Sequence, residues 1–421
     1  MIVTNRNPLT SATKIREVAD EVVRRPIPSL RLDDFDQTEL LNYLEPIQEI
    51  AANVGFGVGS YPNGSGVTPS QYGYFGSVLS PTQNRIYFVP LAQGNVASWH
   101  YYDCETGEVV AYLNGMGDVL ANAYAGGVYS PTQNRVYLNP YFQGNETNWH
   151  YIDCNTGDVV AYAHGSSAVQ QGYVGGAYSP TQNRIYFCPN YQAAETEWQY
   201  VDCDTGNVVA YEHGHGATLQ LSAYRGAVYS PTQNRIYLTP YVQGPESVWH
   251  YIDCDTGDVI EYTHGASVVL YGYFGSTYSP TQNRIYLIPN LQAPEDDWHY
   301  IDCDTGDVVA YAHGAAGLAD NAYRGGMYDP VLDRIWLAPY QQSPKLQWHY
   351  IDCKTGEVVA YTHGYGTTVP IYAYYGGTYH NNKVVFSPFG ISNAADWHYI
   401  QEYSDIPVSR NLMAGTLFNK F

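Results

Sequence analysis

The sequence predicts an all-β fold, a seven-bladed β-propeller of four-stranded antiparallel blades, with a small helical segment at its N-terminus. Seven tryptophans recur at steps of 49 to 51 residues, one in each copy of a repeat: Trp99, Trp149, Trp198, Trp249, Trp298, Trp348 and Trp397. Each copy also holds four short segments rich in Tyr, Val, Ile and Trp, bounded by Pro, Gly, Asn or Asp, which is the pattern of β-strands. Four strands in a period of about 40–50 residues are typical of a propeller blade. A closed ring of such blades leaves no sheet edge exposed.

The order of the strands can be taken from single copies. The first strand is Tyr-x-Gly-Gly-x-Tyr (323–328), the second Arg-Ile-Tyr-Leu (235–238), the third Trp-His-Tyr-Ile-Asp (249–253) and the fourth Asp-Val-Val-Ala-Tyr (158–162). Between the first two, Ser-Pro-Thr-Gln-Asn-Arg predicts a turn with a left-handed Asn. Between the last two, Asp-Cys-Asp-Thr-Gly-Asp predicts a bulged hairpin. The same segment resembles part of a calcium loop, but a strand follows where an EF-hand places its further ligands.

The two ends of the chain lack the repeat. We expect residues 1–70 to form a helical arm and a glycine-rich linker, residues 71–413 the propeller, and residues 414–421 a tail. Helices are predicted over about residues 10–25 and 36–46, with Pro46 either kinking the second helix or dividing it in two, and a linker over residues 53–73. Short helices need packing to be stable, so residues 1–70 are expected to act as an attachment arm, and as a route to homo-oligomers. The fourth strand of blade seven is either residues 408–413 or an N-terminal strand that completes the blade, and the sequence leaves both open.

Composition excludes some classes of partner. Lys and Arg total 19 against 40 Asp and Glu, a net charge of −21, which argues against nucleic acid as a partner. No apolar run is long enough to insert into a membrane, and the N-terminus is too polar for a signal peptide. Six of the seven cysteines share one repeat position. Neighbouring blades place such positions roughly 10 Å apart, beyond the reach of a disulfide, so we expect free thiols and assembly in the cytoplasm.

The candidate binding surface comes from differences between the copies. The loops from strand one to two and from three to four are nearly identical, and they share one rim of the ring. The loops on the opposite rim, which we call the variable rim, differ: residues 91–98, 141–148, 191–197, 241–248, 291–297 and 340–347 between strands two and three, and segments such as 116–123, 215–223 and 365–373 between blades. Recognition often uses loops on a rigid scaffold; unconstrained drift of the loops is the alternative. Tyr141, Tyr191, Tyr241 and Tyr340 lie in these loops.

A second set of candidates follows the leading Tyr of the first strand, which lies innermost in a propeller. This position holds Phe75, Phe274, Tyr375, Arg225 and Arg324 in five of the blades. The arginines could reach the central channel and bind a carboxylate or a sulfate, or they could pair with a nearby Asp. The repeated Trp-His pairs are expected to be structural, because one histidine per blade gives no convergence on a metal. No catalytic residue, metal ligand or cofactor is predicted.

The two turns and three of the strands together resemble the YVTN family of β-propeller repeats over about residues 74–403, although Trp-His stands where that family has smaller residues. The repeats are also loosely similar to those of phage and large-virus proteins. The resemblance implies a propeller and leaves function open, since fold does not determine function. The first hypothesis is a non-enzymatic structural or interaction protein, as in a virion or on a surface, that binds a protein or a glycan through the variable rim. The alternative is a propeller enzyme of lactonase or hydrolase type, with its site at the channel mouth.

Overall fold

The structure, a computed structural model, describes residues 54–63, 68–215 and 219–404. The chain divides into two compact units. One is Val58–Gln401, which carries the blades, and the other combines Met1–Gly57 with Glu402–Phe421. The helices predicted over residues 10–25 and 36–46, the tail at 414–421 and the candidate strand at 408–413 lie outside the described residues. In the part of the chain that is described, no helix has the length and apolarity needed to span a membrane.

Seven sheets of four antiparallel strands confirm the predicted fold class. The first strands of blades one to seven are Tyr74–Ser80, Tyr124–Ser130, Tyr173–Ser179, Tyr224–Ser230, Tyr273–Ser279, Tyr323–Asp329 and Tyr374–His380. The second strands are Arg85–Pro90, Arg135–Pro140, Arg184–Pro189, Arg235–Pro240, Arg284–Pro289, Arg334–Pro339 and Lys383–Pro388. The third strands are Ser98–Asp103, Asn148–Asp153, Glu197–Asp202, Val248–Asp253, Asp297–Asp302, Gln347–Asp352 and Asp396–Ser404.

The fourth strands complete the blades. They are Val109–Leu113, Val159–Ala163, Val208–Glu212, Val259–Thr263, Val308–Ala312 and Val358–Thr362 in blades one to six, and Val54–Pro62 in blade seven. Two one-turn 3-10 helices, Phe142–Asn145 and Tyr191–Ala194, lie between the second and third strands of blades two and three.

Blade seven is closed by an N-terminal strand. Val54–Pro62 pairs with the third strand of this blade, so the linker predicted over residues 53–73 is wrong for these residues and the propeller begins before residue 71. The glycine-rich sequence concealed the strand, yet glycine is required there, because a Cβ on Gly59 would lie 2.5 Å from the ring of Tyr399. Beside it, Asn63 donates a backbone hydrogen bond to the carbonyl of Ala395 at 2.8 Å. Of the two candidate closures, the structure has the N-terminal one.

The repeated histidines hold the blades together internally. In blade two, the Tyr124 hydroxyl of the first strand meets Nδ1 of His150 in the third strand at 2.5 Å. His164, after the fourth strand, stacks on Trp149 with ring centroids 4.0 Å apart, and its Nε2 donates to the carbonyl of Glu146 at 2.6 Å. Each of these two imidazoles therefore uses its nitrogens or its face in packing, and for His150 this is the structural role predicted for the Trp-His pairs.

The near-identity of the other rim has a structural cause. Thr82 of blade one donates to Asn134 Oδ1 at 2.9 Å and to the carbonyl of Cys154 at 3.1 Å, both in blade two. Equivalent bonds join blades two to six. In blade seven, whose turn departs from the repeat, His380 Nε2 lies 2.7 Å from Asn84 Oδ1 and joins the last blade to the first. This rim is thus constrained by bonds between blades.

Both predicted turns are present. Asn134 has a φ of 51° and Gly157 a φ of 88°, so a left-handed residue stands in each turn. In the second turn Asp153 Oδ1 accepts the backbone N–H of Asn155 at 2.8 Å, which confirms the hairpin. All seven cysteines are free, which confirms that the repeat position forms no disulfide.

Candidate binding site at the channel mouth

A closed ring of seven glycines surrounds the axis. They are the third residues of the first strands, all with φ between 70° and 108°: Gly76, Gly126, Gly175, Gly226, Gly275, Gly325 and Gly376. A Cβ on Gly175 would lie 3.0 Å from Cα of Gly226, and one on Gly226 would lie 2.9 Å from Cα of Gly275. The last glycine faces the first in the same way at 3.9 Å. Each lies in a register shift between the first and second strands, which redirects the preceding side chain.

The side chains that precede the glycines, five apolar or aromatic residues and two arginines, form a cluster at the axis, which we call the axial plug. Its positions are Phe75, Ala125, Val174, Arg225, Phe274, Arg324 and Tyr375. The rings of Phe75 and Tyr375 stack at 4.3 Å, and Phe274 lies 5.8 Å from Phe75 and 5.4 Å from Tyr375. Blades one, five and seven thus touch across the axis. At this level the axis is filled by aromatic rings, whereas the sequence suggested an open channel.

The two arginines lie in the axial plug and stack on aromatic rings. The guanidinium carbon of Arg324 is 3.7 Å from the ring centroid of Tyr340 and 4.8 Å from that of Phe274. The guanidinium carbon of Arg225 is 4.2 Å from Tyr241 and 5.3 Å from Phe274. Nε of each arginine is buried with no hydrogen-bond partner. Among the described residues neither forms an ion pair with a carboxylate, so the predicted alternative of an Asp partner is wrong for this part of the chain.

Burial lowers the pKa of Arg324 to about 10, and the nearby positive charge of Arg225 lowers it further, while Tyr340 opposes the shift. A guanidinium with a pKa near this value still carries its charge at neutral pH. The axial plug therefore presents two cations whose charge no described side chain neutralises.

An aromatic collar rises around the plug on the variable rim. Four of its residues follow the proline that ends the second strand, and three lie two residues before the leading Tyr of the first strand: Tyr141, Tyr241, Tyr340 and Phe389, and Tyr72, Tyr271 and Tyr372. Rings of the two sets meet in pairs: Tyr241 with Tyr271 at 4.8 Å, Tyr340 with Tyr372 at 4.7 Å, and Phe389 with Tyr72 at 4.9 Å. The structure thus brings together Tyr141, Tyr241 and Tyr340 from the predicted set. Tyr191, also predicted, is 37% exposed and lies outside the axial cluster.

Sequence analysis missed the second half of the collar. The sequence feature that marks these residues is one repeat position, two residues before the leading Tyr, whose residue type differs between copies as much as it does in the axial plug. It holds Tyr72, Asn122, Gln171, Ser222, Tyr271, Asn321 and Tyr372. All seven have positive φ, between 51° and 66°, so a tight turn projects each of them at the start of the first strand. Beside them Leu221, Leu270 and Ile371 are 59%, 44% and 47% exposed. The mouth is therefore aromatic at its centre and apolar at several points of its edge.

The opposite side of the axial plug differs in chemistry. A cavity of about 540 Å³ is lined there by the second halves of the first strands, including Ser77, Val128, Met327 and Thr378. Ser77 and Thr378 hydrogen-bond to each other at 2.7 Å. Among the residues that the structure describes, no charged side chain lines this cavity, in contrast to the two arginines of the axial plug.

One group of potential metal ligands lies away from the axis. In the described part of the chain, His215, His250 and Glu261 are the one set of three His, Cys, Asp or Glu residues whose ligand atoms converge, all within 4.8 Å. Burial lowers the pKa of His250 to about 3, with His215 and His213 contributing. From the sequence, His250 is one structural histidine among several, and no motif marks His215 or Glu261 as a ligand.

Comparison with known proteins supports the fold. No protein-family model matches the chain, so membership of the YVTN family stays a prediction, and no curated protein matches it. The solved structures of U3-55K and of the RRP9 WD40 repeats each align with a TM-score of 0.52 at 7% identity, covering 83% and 82% of this chain and 99% and 100% of their own. PorZ, a surface component of the type-IX secretion system of Porphyromonas gingivalis, aligns with a TM-score of 0.46 at 9% identity over 79% of this chain. This chain spans 37% of the length of PorZ.

The two likenesses with a TM-score of 0.52 show the fold alone. The chain is a seven-bladed β-propeller of four-stranded antiparallel blades, with WD40-like structural neighbours.

Proposed function

We propose that this protein is a non-enzymatic interaction scaffold whose channel mouth binds a carboxylate-bearing segment of a partner protein. The observation that carries the proposal is the pair Arg225 and Arg324, held in an aromatic collar without a carboxylate partner among the described residues. The chain has about twice as many acidic as basic residues, 40 against 19. Two neighbouring cations that form no ion pair with a described carboxylate therefore depart from the overall negative charge of the chain.

A partner's carboxylate would complete the site. Burying a charge is costly unless it is paired and hydrogen-bonded. Stacking on Tyr241 and Tyr340 offsets part of that cost through cation–π attraction, but it satisfies none of the N–H donors. A guanidinium offers five donors in a planar fork that matches a carboxylate. Each charge-assisted hydrogen bond of this kind contributes about 1.5–3 kcal/mol.

The surroundings of the mouth constrain the partner further. Farther from the axis on the same rim, one loop position holds a carboxylate in four consecutive blades: Glu146, Glu195, Glu246 and Glu295. Leu221, Leu270 and Ile371 offer exposed apolar contacts near the collar. The complementary segment places a single carboxylate at the axis, apolar side chains around it and basic residues outside. In such a partner, the carboxylate would lie at the two arginines and the basic residues would lie at the four glutamates.

Two other readings stay open as outcomes of the test. Exposed Tyr72 and Tyr271 also suit stacking on a sugar ring, so an acidic glycan could present the carboxylate instead of a protein. The hydrolase alternative requires a nucleophile or a general base near the axis, and the seven positions of the axial plug hold no His, Asp, Glu, Lys, Ser, Thr or Cys, with the Tyr375 hydroxyl as their one candidate. A place in a virion or on a surface is compatible with the scaffold role and is not needed for it.

The experiment is selection of binding peptides from a random library against the full chain, with a glycan array in parallel. Selected peptides are then titrated against a variant that combines Arg225→Ala and Arg324→Ala. Alanine stands at the same position in blade two as Ala125, so the ring accommodates it. The matched control is Arg235→Ala, which removes one of the same charges from a stacked position off the axis, 4.3 Å from Tyr251. We expect peptides that contain Asp or Glu, and a loss of about 10- to 100-fold in affinity for each arginine removed at the axis.

Peptides that bind the double variant as well as the unchanged chain would place the interaction elsewhere and overturn the site. Acidic glycans that bind while no acidic peptide is selected would overturn the protein partner and keep the carboxylate chemistry. Loss of binding in Arg235→Ala to the same degree would show a nonspecific charge effect, against the proposal.

A further inference from the structure

Blade four departs from the repeat at two positions that lie close together in the fold. Its fourth strand contains Glu261 where the fourth strands of blades one, two, three, five and six have alanine: Ala111, Ala161, Ala210, Ala310 and Ala360. The loop that enters blade four contains His215, where the equivalent loops have other residues: Met116, Ser166, Ala266, Ala315 and Tyr365. Neither departure is needed for a blade to fold, because sister blades fold with alanine in each place.

Both departures face a histidine that belongs to the repeat, His250 of the third strand. Glu261 Oε2 lies 3.9 Å from Nε2 of His250 and 3.9 Å from Nδ1 of His215. The rings of His215 and His250 meet with centroids 4.9 Å apart. The His250 side chain is fully buried, and its Nε2 has no hydrogen-bond partner. The side chains of His215 and Glu261 are 24% and 40% exposed, so the group opens to solvent on one side.

We propose that His215, His250 and Glu261 form a binding site for a divalent transition metal ion of the zinc class. Two imidazoles and a carboxylate are a donor set that zinc accepts, with a fourth position left for water or for a group from a partner. Ligands around a tetrahedral zinc lie about 3.3–3.5 Å from one another, given metal–ligand distances of about 2.0–2.2 Å. The distances to Glu261 therefore need to contract by about half an ångström, which a partly exposed Glu side chain allows. The two imidazole nitrogens, which lie within 4.8 Å of one another, need to approach by up to about 1.4 Å.

The second nitrogens of both rings are already held, as in protein metal sites. Nε2 of His215 lies 2.8 Å from the carbonyl of Val259. A carbonyl only accepts, so Nε2 bears the proton and Nδ1, which faces Glu261, bears the lone pair. Nδ1 of His250 lies 2.6 Å from the Tyr224 hydroxyl, whose oxygen can accept a proton from this nitrogen when Nε2 binds the metal.

Blade three offers an analogue for the tautomer of His250 without metal. There Gln199 replaces the histidine, its Oε1 accepts from the Tyr173 hydroxyl, and its Nε2 donates to the carbonyl of Ser167 at 3.1 Å. The equivalent state of His250 has the proton on Nε2. Metal binding therefore moves this proton to Nδ1 and turns the Tyr224 hydroxyl hydrogen away from the ring. This change opposes binding, and it also gives the site a spectroscopic signature.

Blade two provides the contrast. Asp118 from its entering loop lies 3.2 Å from Nε2 of His150, and Asn148 donates to the same carboxylate at 2.9 Å. The carboxylate there accepts hydrogen bonds, and Met116 stands in the loop that enters blade two at the position that His215 has in the loop that enters blade four. A carboxylate beside the repeat histidine is thus found with and without a second imidazole. Within the described ranges, the blade-four arrangement is the one that supplies three ligands.

The test is titration of the full chain with Co²⁺, followed by its visible absorption and by competition with Zn²⁺. Three variants take the residue that a sister blade has at the same position: Glu261→Ala, His215→Ala and His250→Gln. The controls are Asp118→Ala and His299→Gln, which make the same kinds of change in blades two and five. We expect one tight site, visible bands of a tetrahedral ion, and a loss of binding of at least about tenfold in each of the three variants, as even outer ligand partners contribute that much. The controls should bind as the unchanged chain does.

A second readout concerns the imidazole itself. In ¹⁵N-histidine spectra, Zn²⁺ should move the His250 proton from Nε2 to Nδ1 and leave the His299 signals unchanged. Binding that survives in all three variants, or that disappears when thiols are blocked, would assign the metal to another site and overturn the proposal. Absence of any saturable binding would overturn it as well. The proposal is independent of the channel mouth, because none of its residues lies in the axial plug or the aromatic collar.

Discussion

Tyr61, on the strand that closes blade seven, should be one of the most sensitive positions of the ring. It is 6% exposed, and its ring lies 5.3 Å from Tyr102, 5.7 Å from Tyr399 and 6.3 Å from Trp397. Tyr102 belongs to blade one, so this single ring contacts both sides of the closure. Removal of a buried aromatic side chain costs about 3–5 kcal/mol. We therefore expect Tyr61→Ala to lower the free energy of unfolding by about 3–5 kcal/mol.

Tyr61→Phe separates packing from hydrogen bonding. The Tyr61 hydroxyl is buried with no hydrogen-bond partner, and an unsatisfied buried polar group costs about 1–3 kcal/mol. Phenylalanine keeps the ring and removes the hydroxyl, so this variant should be as stable as the unchanged chain or slightly more stable. The free energy of unfolding should therefore fall by several kcal/mol in Tyr61→Ala and should not fall in Tyr61→Phe.

The assay is urea unfolding of the unchanged chain and both variants, followed by tryptophan fluorescence. Tyr191→Ala is the control, since this residue is 37% exposed on a loop and should change stability by less than about 0.5 kcal/mol. A chain that begins at Gln71 lacks the closing strand and should lose at least as much stability as Tyr61→Ala. If that shortened chain unfolds at the same urea concentration as the full chain, or if Tyr61→Ala behaves like Tyr61→Phe, the N-terminal strand does not hold the ring closed.

Three further predictions concern the repeat. Gly226 has a φ of 108° and lies against the neighbouring blade, so Gly226→Ala should lower the thermal midpoint of unfolding strongly. Gly165 has a φ of 64° and no atom within 4 Å of the position that a Cβ would take, so Gly165→Ala should cost only about 1–2 kcal/mol. Equal shifts of the midpoint in the two variants would contradict the role of the glycine ring. Burial and His313 lower the pKa of His349 to about 4. The stability that neutral His349 contributes is therefore complete above the unfolded pKa of about 6.5 and falls by about 3 kcal/mol as the pH drops to 4. This loss of stability at low pH should be absent in His349→Gln. An unchanged profile in that variant would refute this. Of the seven thiols, only Cys104 is partly exposed, and burial raises its pKa to about 12. A thiol reagent at neutral pH should therefore label the native chain slowly, and it should label the unfolded, unreduced chain at all seven cysteines. Fast labelling of the native chain would contradict the burial of the thiols.

The fold could be predicted because its signals are local and repeated. The spacing of the tryptophans gave the number of blades, and turns such as the one at Asn134 depend on residues that adjoin in sequence. The closing strand escaped prediction because its identity depends on a distant partner. Gly59 and its neighbours do not have the composition of a strand, and only the ring of Tyr399, more than three hundred residues away, explains the glycine.

The candidate site was half predictable for a related reason. Variation at the position of Arg225 marked the axis correctly, but the environment of that side chain depends on contacts between blades, such as that of Phe75 with Phe274. Whether an arginine at this position contacts a carboxylate or an aromatic ring depends on the side chains that the other blades place at the axis. The blade-four cluster was detectable in principle, since Glu261 and His215 are visible departures once the copies are aligned with one another.

The glycine ring has a consequence for how this molecule can change over generations. Every copy supplies the same backbone contact at the axis, so assembly of the circle does not depend on which side chain comes just before each glycine. The seven places have already been filled with residues as different as alanine, valine, phenylalanine, tyrosine and arginine. A point mutation at one of them alters the chemistry presented at the centre while the contacts that close the circle stay in place. The seven axial side chains can therefore be substituted one at a time, and each substitution changes the surface at the axis while the backbone contacts between the blades remain.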